Sequence, residues 1–266
     1  MSVGKHGFLT DIFELRKENQ MTFIEKIKKK SSDIYTVKPI TLAFLGDSVT
    51  QGCFELRPRR SGGVDVIYDG ESVYHNSLRK IFAMLCPQLP IAVINAGISG
   101  ATAKQGHKRL EIDVLPYHPD MTVVCYGLND CKRGMSNLPA YISDLGAIFD
   151  ALRENGSDVI FMTPNMLGKY VSEELADSDL VQIASDVCTE ENQNTLENYL
   201  DAAKALCREK KIPVCDCHAN WRALDSAGFD ITSLLSNRIN HPTREMHFMF
   251  AYELIKTMLT QEDCND

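Results

Sequence analysis

No apolar run of membrane-spanning length occurs in the 266 residues, and no repeat, low-complexity tract or Pro/Gly-rich linker divides them. These absences exclude a spanning helix, a repeat array and a disordered chain. Positive charge is also scarce. The 28 Lys and Arg stand against 36 Asp and Glu, a formal net charge of -8, so no overall field draws the chain to nucleic acid or to an anionic membrane, and a small-molecule partner is expected. The first thirty residues mix Lys, Glu and Asp with Phe and Ile and lack the unbroken apolar segment of a signal peptide. The nine cysteines are odd in number and scattered, which reads as reduced thiols and gives a cytoplasmic expectation. What is present is an ordinary globular composition, 44% hydrophobic and 24% charged, long enough to bury a sizeable core.

Five short aliphatic runs, at 40–45, 91–95, 121–126, 158–163 and 212–216, read as buried parallel strands. Segments with apolar residues three or four apart lie between them, at 73–85, 102–114, 138–153 and 195–210, and read as helices. The alternation predicts an α/β chain with a parallel sheet covered on both faces. Ahead of it, residues 9–30 have mostly helical spacing, giving an N-terminal accessory helix within 1–36 and a main domain over 37–266. The irregular stretches 54–72 and 164–190 follow strands and are expected to form pocket walls.

The first strand runs into Gly46-Asp47-Ser48-Val49-Thr50-Gln51-Gly52. A serine at the carboxyl end of a parallel strand, at the start of a helix, is where a nucleophile would meet free backbone N–H groups. An N-cap serine in a glycine turn fits the heptapeptide equally well. The second strand ends in Asn95-Ala96-Gly97-Ile98-Ser99-Gly100, where Gly97 could turn a backbone N–H into the same crevice. The third ends in Gly127-Leu128-Asn129-Asp130, and the Asn129 amide is a neutral donor for developing negative charge. After the fifth strand stands Asn237-Arg238-Ile239-Asn240-His241-Pro242, where Pro242 favours an extended His241 able to face the sheet edge as a base. Taken singly, each has a plain turn or loop reading. Together they follow four different strands and could converge on one crevice.

These four blocks, in this order, resemble the SGNH or GDSL hydrolase superfamily. The resemblance implies a three-layer α/β/α sandwich with a five-stranded parallel sheet in flavodoxin-like order. It also implies ester hydrolysis through an acyl-enzyme at Ser48, with His241 as base and Ser48, Gly97 and Asn129 as oxyanion donors. The substrate would be a small carboxylic ester, O-acetyl groups on sugars among them. The family usually carries an aspartate three residues before the histidine, and here that position is Arg238. Such an acid is worth up to about ten-thousandfold in serine-protease catalysis. The readings are that Asn237 or Asn240 orients the ring through its amide oxygen, that a backbone carbonyl does so, that a displaced acid such as Asp216 serves, or that the chain is a non-catalytic binding relative.

No cofactor and no metal is expected. Cys215-Asp216-Cys217-His218 lacks the usual two-to-four-residue turn between sulfurs, so structural thiols are the expectation. His218 is the rival base, while His75 and His247 are expected to pack. Asp47 is expected to stabilise its turn. Arg57, Arg59 and Arg60 could meet an anionic substrate, and Met162, Met166 and Leu167 could line an acyl or sugar pocket.

Overall fold

The computed structural model describes residues 21–260. It begins with α1 (Phe23–Ser32), whose Thr22 and Glu25 form a reciprocal capping box. Phe23 and Ile27 on its inner face join the main hydrophobic core, and Lys26 Nζ reaches Asp158 Oδ2 at 3.1 Å. The earlier part of the expected accessory helix, including Leu9, Ile12 and Phe13, lies outside the described residues, as does Cys264.

The chain then alternates as its hydrophobic pattern predicts. Strand β1 (Ile40–Gly46) leads into the single turn α2 (Ser48–Gln51), then β2 (Cys53–Pro58), β3 (Val64–Tyr68) and α3 (Tyr74–Leu85). Next come β4 (Ile91–Gly97), α4 (Ala103–Asp113), β5 (Met121–Cys125), α5 (Leu138–Glu154) and β6 (Asp158–Met162). Helices α6 (Ser178–Asn192) and α7 (Thr195–Lys210), strand β7 (Val214–Cys215), α8 (Cys217–Ser226) and α9 (Arg244–Thr260) complete it.

Five strands form one parallel sheet in the order β4-β1-β5-β6-β7. Helices α1, α3, α8 and α9 associate in one layer, and α4, α5, α6 and α7 in the other. This is the expected three-layer α/β/α arrangement. The central β5 is buried at every position, because both of its faces are covered. Strand β1 is the seam, paired with β4 on one side and β5 on the other, so its carboxyl end lies at the point where the chain reverses direction across the sheet.

Three elements differ from the sequence expectation. Residues 54–72 are not wholly irregular: β2 and β3 pair as an antiparallel hairpin, its tip turned by Gly62 and Gly63 at φ +85° and +80°. Residues 178–190 are helical, because Asp177 caps α6 by accepting from the N–H groups of Asp179 and Leu180. The fifth strand is only Val214–Cys215 long, since Asp216 already caps α8 by accepting from the Ala219 N–H. Among the described residues, no helix is long and apolar enough to cross a membrane.

Candidate active site

Where β1 ends, Asp47 caps α2 by accepting from the Val49 N–H at 3.0 Å. Ser48 takes the first helical position, so its backbone N–H is one of those a helix leaves unpaired. Gly46 admits no side chain, since a Cβ would stand 2.2 Å from Thr50 Oγ1 and 2.9 Å from the Cys125 carbonyl. The Ser48 hydroxyl oxygen lies 3.0 Å from His241 Nε2. The two residues are 193 positions apart in the chain, and each is 4% exposed.

The other ring nitrogen, Nδ1, is 3.0 Å from the backbone carbonyl of Phe54 on β2. A carbonyl only accepts, so Nδ1 carries the proton and Nε2 presents its lone pair to the Ser48 O–H. Burial lowers the imidazole pKa to about 4, and Lys132 pushes the same way. The Phe54 bond and the Glu55 charge oppose that shift. The ring is therefore neutral at pH 7 and in the tautomer a base requires.

Asn237 and Asn240 do not orient this ring. Asn237 Oδ1 instead accepts from the N–H groups of Ile239 (3.0 Å), Asn240 (2.9 Å) and His241 (3.0 Å), and its amide donates to Asn240 Oδ1 at 2.9 Å. It shapes the backbone that carries the histidine. Arg238 sits at φ +57° and turns its guanidinium onto Glu174, at 2.9 and 3.2 Å. Asp216 is bound to Thr163 Oγ1 and to Lys204, at the far edge of the sheet. Of the readings for the missing aspartate, the backbone carbonyl is the one whose geometry is present.

The Gly97 N–H donates to its own neighbour, Asn95 Oδ1, at 3.0 Å. A Cβ on Gly97 would lie 2.2 Å from the Gln51 backbone nitrogen, so this glycine lets β4 and α2 approach closely. Gly100, three residues on, has φ +76° with open space around it, and its N–H has no acceptor among the described residues. Its loop is tied to the Ser48 turn, because the Ser99 N–H donates to Gln51 Oε1 at 2.7 Å. Asn129 closes the same side: its amide donates to Asp47 Oδ2 at 3.3 Å and to the Ala101 carbonyl at 3.2 Å. Asp47 is buried, which raises its pKa to about 7, with Asp130 nearby contributing.

The remaining histidines belong elsewhere. His75 Nε2 pairs with the Thr50 carbonyl at 3.2 Å, and His247 Nδ1 accepts from the Tyr74 N–H at 3.2 Å. His218 is the second residue of α8, with its N–H donating to Thr163 Oγ1. Cys215 and Cys217 are buried with sulfurs 3.6 Å apart. Arg57, Arg59 and Arg60 belong to the hairpin, where Arg59 pairs with Asp65, and Met162, Met166 and Leu167 are inside the core. A cavity of about 530 Å³ borders the histidine loop, walled by Glu55, Leu56, Glu174, Asp177, Asn237 and Arg238. Ser48 and His241 themselves are not in its wall.

The sequence profile of the GDSL-like lipase/acylhydrolase family matches residues 44–247. An acetylxylan esterase of Geobacillus stearothermophilus is 36% identical over 92 residues, a match spanning 35% of this chain and 40% of that protein. The crystal structure of Axe2, an acetylxylan esterase from the same organism, superposes with a TM-score of 0.60 at 22% identity, over 82% of this chain and 94% of that one. A lipase/acylhydrolase from Enterococcus faecalis gives a TM-score of 0.58 at 21% identity over the same shares.

Proposed function

The chain belongs to the GDSL-like lipase/acylhydrolase family, and on that premise we propose that it is a serine esterase acting on small acyl esters, O-acetyl groups on sugars in particular. One observation carries this reading: the contacts that join Ser48 Oγ to His241 Nε2 and His241 Nδ1 to the Phe54 carbonyl, each 3.0 Å long.

Ser48 Oγ attacks the ester carbonyl carbon while its proton passes to Nε2 of His241. The carbonyl electron pair moves onto oxygen, where the N–H groups of Ser48 and Gly100 and the Asn129 amide are the donors. An oxyanion is a stronger acceptor than the long contacts Asn129 now makes. Collapse breaks the carbon–oxygen bond, and the departing alcohol takes the proton from His241. Water repeats the sequence on the acyl-enzyme and releases the acid.

Two features support the substrate class. The nucleophile is almost fully buried, which favours a short acyl group. The base must face the departing alcohol, and the cavity beside its loop has a mixed wall, with Glu174, Asp177 and Arg238 to meet hydroxyls and Leu56, Leu175 and Leu180 to meet the apolar face of a sugar ring. The similarity to an acetylxylan esterase points the same way.

An active-site-directed fluorophosphonate is expected to label the wild type and not Ser48→Ala. In a series of p-nitrophenyl esters, turnover should fall from acetyl to octanoyl, with acetylated xylooligosaccharides hydrolysed as well. Absence of both labelling and hydrolysis would overturn the proposal and leave the second reading, a non-catalytic ligand-binding relative, which Arg238 in the usual aspartate position favours.

A further inference from the structure

In the reading above, the base is oriented by a backbone carbonyl, and a carbonyl is only as well placed as its peptide. The Phe54–Glu55 peptide is held from both sides by Arg244. Its guanidinium carbon lies 4.4 Å from the centre of the Phe54 ring. Its two terminal nitrogens grip the Glu55 carboxylate at 2.5 and 3.2 Å, the two-pronged geometry that fixes direction as well as distance. Its Nε donates to Asp69 Oδ2 at 2.8 Å. Asp69 is itself anchored, since its N–H donates to the Gly52 carbonyl and its other oxygen accepts from Glu71 and Ser72.

Local rules argue against this placement. Arg244 opens α9, and a cation at the positive end of a helix is unfavourable on its own. A residue that breaks a local preference needs a compensating tertiary role, and here both carboxylates supply the countercharge. The arginine also stands three residues after His241, so the segment that carries the base also grips the strand that orients it.

We infer that Arg244 is a positioning residue for the base: through Glu55, Asp69 and the Phe54 ring it fixes the Phe54 carbonyl that keeps His241 in its Nδ1–H tautomer. The inference rests on the Ser48–His241 reading. Arg244 also neutralises Glu55, whose charge favours the imidazolium form of His241. The other ionisable groups around these rings are Lys132, Asp47 beside Ser48, Asp69, His75 and His247.

The test compares Arg244→Met, Arg244→Lys and Glu55→Gln with the wild type on a p-nitrophenyl acetate assay and by nitrogen-15 NMR of the histidine rings. Arg244→Met is expected to lose about ten- to a hundredfold in kcat with KM little changed, and Arg244→Lys to regain part of it. The acid limb of kcat/KM should move to higher pH in Arg244→Met, where Glu55 loses its countercharge. In Glu55→Gln, where the carboxylate is gone and Arg244 stays, it should move to lower pH. A purely structural role predicts no such opposite pair. The NMR signal of a single Nδ1–H tautomer in the wild type should become a mixture in Arg244→Met. Wild-type kcat and an unchanged tautomer in that variant overturn the inference. If the wild type hydrolyses no ester, the functional reading fails on its own, and the tautomer comparison still decides on the clamp. If Arg244→Met does not fold, the ring spectra of Arg244→Lys and Glu55→Gln decide: a single Nδ1–H tautomer in both, with wild-type kcat, overturns the inference.

Discussion

A histidine base needs something to decide which ring nitrogen holds its proton. Here a main-chain oxygen does so, and it brings no negative charge with it. With the ring also buried, the imidazolium is disfavoured and the pKa falls to about 4. Only the neutral ring accepts the serine proton, so the wild-type kcat/KM should rise through about pH 4 instead of near 6.5. A pH–rate profile on a short acyl ester checks this, and an acid limb near 6.5 would show the ring to be more solvated than the geometry implies. That Ser48, Asn129 and His241 would gather at one sheet edge was legible, because their side-chain chemistry and their strand-end positions are both local features of the sequence. The Phe54 carbonyl was not, since any residue supplies the same oxygen. Gly97 was named from the sequence and Gly100 was not, for a related reason. Which N–H is free depends on the Asn95 side chain and on the close packing of Gly97 against Gln51.

At the scale of elements, the parallel strands and the long helices were readable because they are buried on predictable faces. The β2–β3 hairpin was not. It is short and half exposed, rich in Glu, Arg and Asp, and irregular in register between Cys53 and Leu56. Yet it supplies both the Phe54 carbonyl and Glu55. The opposite flank of β1 depends on Arg109 of α4, whose Nη2 donates to the Gly46 carbonyl at 3.0 Å, the Ala96 carbonyl at 2.6 Å and the Tyr126 hydroxyl at 3.1 Å. Those carbonyls close β1 and β4, just before the Ser48 turn and the Gly100 loop. Arg109→Met fills the same space but strands them, and should lower unfolding stability by about 2–3 kcal/mol. Urea denaturation measures this. A loss within a few tenths of a kcal/mol would mean that water replaces the guanidinium at that edge.

At the scale of the whole molecule, buried imidazoles gather on and beside α3 and α9. Burial lowers His75 and His241 to about 4 and His247 to about 3. Unfolded, these rings titrate near 6.5, so the unfolded chain binds protons that the folded one refuses. Their stabilisation is complete above about pH 6.5 and is lost as the pH falls towards 3 to 4. The buried carboxylates act in the other sense. Asp47, raised to about 7, and Asp130, raised to about 6, stabilise the fold fully only below the ordinary carboxylate range, and that contribution disappears as the pH rises through 6 to 7. His218 is lowered as well, Asp158 and Glu191 are raised, and the paired Glu55 and Asp69 are lowered; the imidazoles and the lowered carboxylates together outweigh the raised carboxylates, so acid should destabilise the protein. His247 isolates the effect, because it lies in a cluster with Phe54, Tyr74 and Phe250 that a phenyl ring can fill. His247→Phe removes the acceptor of the Tyr74 N–H and should cost about 1–3 kcal/mol at pH 7. At pH 4.5 the wild type has already lost part of the stability that this ring provides, so the gap between the two urea midpoints should narrow. An equal gap at both pH values would show that His247 does not titrate differently in the folded and unfolded chains, and would remove the imidazole cluster as the source of the acid sensitivity.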